Sequence, residues 1–180
     1  MGEQIVLLFT STKKALYKRD LLNVCCQNLG SYVEFAYQDD WVSDSVRKNV
    51  QAIQGREALI VFVEDVPPDE AGSPDAIPKR FHPLRWATIV EATKDPEGIS
   101  LSLQLGKFEE FEKDPSARVQ LFGQYALAGE HRPAGQRPKF VRTEASWTPS
   151  KRTEDRIAVP EHIGCTREPP FRSNSVMWGE

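Results

Sequence analysis

The chain has 180 residues, 39% of them hydrophobic and 27% charged, and carries a formal net charge of -3, a length that permits one buried core with extra segments. The charge is uneven: residues up to Gly129 hold 14 Lys and Arg against 19 Asp and Glu, whereas Glu130 to Glu180 holds 9 against 7. An acidic body disfavours non-specific nucleic-acid binding, which needs many cationic phosphate contacts, and no run nears the roughly 20 apolar residues that span a bilayer.

Ile5 to Phe9 (IVLLF) predicts a buried first strand. Thr12 can cap a following helix whose apolar Tyr17, Leu21, Val24 and Cys25 share one face, with Gly30 as its stop. Ser31 to Tyr37 (SYVEFAY) alternates as a half-buried strand does, placing Val33, Phe35 and Tyr37 on one side. Ser43 reads as the N-cap of a second helix along Val46, Val50 and Ile53, ended by Gly55. Ala58 to Glu64 (ALIVFVE) is a continuous β-branched and aromatic run. Beside it, Phe81 to Ala92 and Ile99 to Leu105 predict an antiparallel hairpin turned at Asp95 to Gly98. Between them, Val66 to Pro78 holds four prolines and one glycine in thirteen residues and predicts a surface loop. Asp114 and Pro115 start a last helix along Val119, Phe122 and Tyr125, ending at Gly129.

From Glu130 onward the composition changes, with six of the thirteen prolines in these 51 residues. Strand-like pieces are limited to Lys139–Thr143, Arg156–Val159 and Ser175–Trp178, and Trp147, Ile157, Phe171 and Trp178 supply apolar anchors for partial docking. The expected fold class is therefore α+β: a small, mostly antiparallel curved sheet or partly open β-barrel with two or three helices and an extended C-terminal arm. Residues 1–129 form the compact domain and residues 130–180 a Pro/Arg-rich arm or linker. A helix between early strands, a central apolar strand and a long hairpin, from Gln4 to Phe111, resembles the architecture of small PUA-like barrels, including those that read modified bases. The resemblance implies a nucleic-acid-binding barrel and transfers no pocket residue.

No linear motif for catalysis, phosphate binding or a dinucleotide is present. His162 lies three residues from Cys165, which makes a cysteine nucleophile the enzymatic alternative, without a visible orienting group or oxyanion hole. Cys25 and Cys26 are adjacent, which suits neither a zinc site nor a disulfide framework; with Cys165 they read as reduced thiols in the cytoplasm. No cofactor or metal is expected. His82 lacks a partner motif, and the adjacent acids Asp39 and Asp40, and Glu109 and Glu110, read as solvated faces because neighbouring side chains point apart. The surface candidate is Arg80, Arg85 and Trp86, with Lys79, His82, Tyr37 and Trp41 near them, a mixture that suits a protein partner or a stacked base. If Trp86 is instead core, Arg85 next to it faces outward. These features point to a non-catalytic interaction, adaptor or regulatory module binding another protein through Arg80, Arg85, Trp86, Trp41, Trp147, Phe171 and Trp178. A PUA-like nucleic-acid binder is the alternative, and no membrane partner is expected.

Overall fold

The computed structural model describes residues 4–11, 15–65, 79–110, 139–144 and 151–154. The loop at Val66–Pro78, the helix from Asp114, the pieces at Arg156–Val159 and Ser175–Trp178, and the pair His162 and Cys165 lie outside the described residues.

Among the described residues, seven strands form one curled, open, half-barrel sheet accompanied by few helices. In chain order they are β1 (Ile5–Ser11), β2 (Tyr32–Gln38), β3 (Glu57–Asp65), β4 (Lys79–Asp95), β5 (Gly98–Glu110), β6 (Val141–Glu144) and β7 (Lys151–Thr153). Their spatial order is β2-β5-β4-β3-β1-β6, with β7 also on β5. Every pairing is antiparallel except β1 with β3, which the helix α1 (Ala15–Cys26) separates in sequence. Both β6 and β7, from the Pro-rich C-terminal third, are thus strands of the sheet.

Continuous apolar runs make β1 and β3 the two-sided centre. Val6, Leu8, Ala58, Ile60 and Phe62 face the helices, whereas Ile5, Leu7, Phe9, Leu59, Val61 and Val63 join Trp86 on the opposite face. Alternating runs make one-sided strands: Ile99, Leu101, Leu103 and Leu105 are buried, and Ser100, Ser102 and Gln104 between them are half-buried. In β2, Phe35 is buried and Val33 and Tyr37 pack at the margin of the same core.

Three local details depart from the sequence reading. The helix α1 ends at Cys26, four residues before Gly30, whose φ of 83° belongs to the following turn. The second helix breaks in two: α2 (Asp44–Lys48) stops at Asn49, and a 3-10 turn (Val50–Ile53) follows, yet Val46, Val50 and Ile53 all remain buried. The hairpin turns around Pro96 and Glu97 as expected, with β4 and β5 paired as far as Asp95 with Gly98, but Gly98 does not adopt a positive φ. Gly98 is required there by close approach, because a Cβ would lie 1.9 Å from the Tyr37 carbonyl oxygen.

Candidate functional site

The β4–β5 hairpin positions the site. Ala87 opposes Leu105 but Arg85 opposes Phe108, so β5 holds one extra residue across from Trp86, a bulge at Gly106 and Lys107. A one-residue slip reverses the faces of everything beyond it. Phe108 therefore turns to the helix side with Arg85, and Glu109 turns to the other side with Trp86.

On the helix side Arg85 is 2% exposed. Its Nη1 donates to the carbonyls of Val24 and Gln27 at 2.8 and 2.7 Å, its Nε donates to Gly106 O at 2.7 Å, and its guanidinium lies 4.3 Å from the Phe108 ring centre. The last carbonyls of a helix lack partners within it and carry partial negative charge. Arg85 thus caps α1 from a neighbouring strand. A small cleft of about 170 Å³ lies between Gln27–Leu29, Gly106–Phe108 and Glu154, with Arg85 in its wall. Lys107 and Glu154 pair at 3.3 Å beside it.

On the opposite side Trp86 is also 2% exposed, and its indole N–H donates to Glu109 Oε2. The Arg152 guanidinium stacks 3.9 Å from the Trp86 ring centre and clamps Glu57 with two hydrogen bonds of 2.7 and 3.0 Å. Glu109 is 1% exposed, and its Oε1 has no hydrogen-bond partner among the described residues. Burial pushes the Glu109 carboxyl above its ordinary range, against the smaller opposing effects of the Trp86 hydrogen bond and the Arg152 charge. The Arg152 hydrogen bond holds Glu57 below that range, outweighing partial burial.

The sequence-derived candidates are dispersed. Arg85 and Trp86 are neighbours, but they point to opposite faces and are buried, so Arg85 does not face outward as an alternating strand with Trp86 in the core implies. A bulged strand between two covered faces buries both. Trp41 sits on a 3-10 turn (Asp39–Trp41) and packs on Phe140 at a ring separation of 4.8 Å, beside β6, which β3 and β1 separate from β4. Arg80 pairs through its backbone with Glu64, while Trp147, Phe171 and Trp178 lie outside the described residues. Glu109 is not a solvated acid but the most buried carboxylate of the site. His82 has a partner that no spacing motif reveals, Glu64 Oε2 at 3.0 Å. Sequence reasoning missed Glu57 and Arg152, 95 residues apart. The only trace of them is a basic pair, Lys151 and Arg152, in a chain whose body is acidic.

The outer margin of β5 holds a second feature. Leu105 N–H donates to Ser31 O and Asp39 N–H donates to Glu97 O at the two ends of the β2 ladder. In an antiparallel pair, bonded and non-bonded residues alternate, so odd-numbered residues of β2 direct their backbone groups at β5. Tyr32, Glu34, Ala36 and Gln38 direct theirs away from it. Among the described residues β2 pairs with β5 alone, and Tyr32 is 60% exposed.

Among the described residues, no group of three or more His, Cys, Asp or Glu could hold a metal ion, and no helix is long and apolar enough to cross a membrane. Comparison with protein-family models, curated proteins and solved structures gives no match for the chain.

Proposed function

We propose that the chain is a non-catalytic protein-interaction module that accepts an extended segment of another protein as an added strand on β2. The observation that carries this reading is the outward direction of the backbone groups of Tyr32, Glu34, Ala36 and Gln38. Strand addition draws affinity from such groups and specificity from alternate side chains. Tyr32 provides an exposed aromatic anchor, and Glu34 on the same face favours a basic residue opposite it. On the other face, apolar side chains of the added strand would extend the core past Val33 and Tyr37. The nucleic-acid reading draws less support, because Arg85 and Trp86, which it needs at the surface, are each 2% exposed. Cys25 and Cys26, not disulfide-bonded, suit an adaptor or regulatory module of the cytoplasm.

The test is selection of displayed random peptides on the immobilised full chain, with Ala36→Pro as the counter-target. Proline at this position removes one outward N–H and leaves the ladder to β5 intact. Enriched peptides should alternate apolar residues with a basic one and lose binding to Ala36→Pro at an unchanged melting temperature. Absence of enrichment, or binding indifferent to this substitution, would refute the assignment.

A further inference from the structure

The strand β7 is seated on β5 by charge. Its three residues, Lys151, Arg152 and Thr153, include no aliphatic side chain. Lys151 pairs with Glu110 at 3.2 Å, Arg152 clamps Glu57, and the next residue, Glu154, reaches Lys107 at 3.3 Å. The receptor beneath it belongs to the body of the sheet: the Trp86 ring, the Glu57 and Glu110 carboxylates, the buried Glu109, and the backbone of Phe108 to Glu110.

We propose that this receptor is a recognition site for an arginine-bearing basic strand, which β7 fills in cis and which an extended, arginine-bearing segment of a partner protein takes over by displacing β7. Three observations support it. A planar guanidinium meets there both a carboxylate fork and an aromatic face, a combination that a lysine cannot satisfy equally. The other two ties around β7, Lys151 to Glu110 and Glu154 to Lys107, join well-exposed side chains, the kind that contributes least to stability. The third is Glu109 Oε1, a buried acceptor that β7 leaves without a donor among the described residues. A segment offering one more N–H there satisfies a group that is costly to leave unmade, and so gains over the cis strand. The site is separate from the outward edge of β2, and the two assignments stand or fall independently.

The experiment uses the full chain and a fluorescein-labelled peptide with the sequence of residues 148–155, read by fluorescence anisotropy. Arg152→Ala weakens the cis strand, so that variant should bind the peptide roughly tenfold more tightly than the unaltered chain, because covalent attachment otherwise gives β7 the advantage of a high effective concentration. Replacing the peptide arginine by lysine, or Glu57 by Gln in the Arg152→Ala chain, should weaken binding by roughly tenfold, the loss expected from breaking a bidentate charged contact. Ala36→Pro should leave peptide binding unchanged. Equal binding by the unaltered and Arg152→Ala chains, or indifference to the lysine replacement, would overturn the proposal. Loss of the cooperative melt in Arg152→Ala would overturn it too, because β7 would then belong to the core.

Discussion

Two strands share one edge of β5, and opposite physics holds them. Seven residues of β2 pair with Gly98 to Gln104 over a core that includes Phe35, Val33 and Tyr37. Three residues of β7 pair with Phe108 to Glu110, and their side chains engage carboxylates and one indole ring. Burial is insensitive to moderate salt and cooperative with the whole core. Half-exposed ion pairs weaken as salt rises and open locally. The same edge therefore offers one strand that leaves only when the protein unfolds and another that can leave alone.

The comparison can be broken most severely at Phe35. Phe35→Ala should cost about 3–5 kcal/mol through the lost contact and the cavity, lowering the urea midpoint with β2 and the core melting together. If β2 amides exchange early while the core persists, β2 is not held as described.

Two arginines stacked on aromatic rings sharpen the contrast. Arg85→Ala strands the carbonyls of Val24, Gln27 and Gly106 and should cost about 3 kcal/mol, at any salt concentration. Arg152→Ala should cost about 1.5 kcal/mol, shrinking as salt rises. Chemical denaturation at low and high salt measures both, and an equal salt response would contradict the division.

Proton linkage divides the site in the same way. The folded pKa of Glu57 lies below its ordinary 4.5, so its contribution is complete above 4.5 and is lost as pH falls through the lowered value. That of Glu109 lies above 4.5, so the folded state binds its proton more tightly and stability rises as pH falls through the raised value. The melting temperature should pass through a maximum between the two. Glu109→Gln should diminish the rise, to which the half-buried Asp20 also contributes, and Glu57→Gln the acid-side fall, in melts recorded across the acid range. The smallest effect belongs to Lys151→Ala, at most about 0.5 kcal/mol for an exposed pair, and a larger change in denaturation midpoint would show that β7 is held by more than screened charge.

Much of the fold was legible because burial leaves a periodic trace. The two-sided runs of β1 and β3, the alternation of Val33, Phe35 and Tyr37, and the β4–β5 hairpin all appear where the pattern of apolar residues places them. Breaks in the pattern were not legible. Asn49 divides the second helix although Val46, Val50 and Ile53 keep helical spacing, because a short helix and a 3-10 turn can bury the same residues. The sequence singles out Arg85 but sets it at the surface, since nothing near it in the chain announces that the end of α1 needs donors. Beside Glu110, Glu109 reads as solvated, although the two point to different environments.

The amino-acid order alone determined the strands β1 to β6 but not β7, which face of each one-sided strand is buried, and where an acidic body gives way to a Pro-rich, basic stretch. These are local or periodic properties, written within a few residues. Only the tertiary structure decided that Gly106 and Lys107 bulge, that Glu109 consequently turns to Trp86, and that Arg152 returns across 95 residues to Glu57. A bulge depends on what the partner strand presents, and an ion pair between distant segments depends on the path of the whole chain. Neither leaves a period in the sequence to be read.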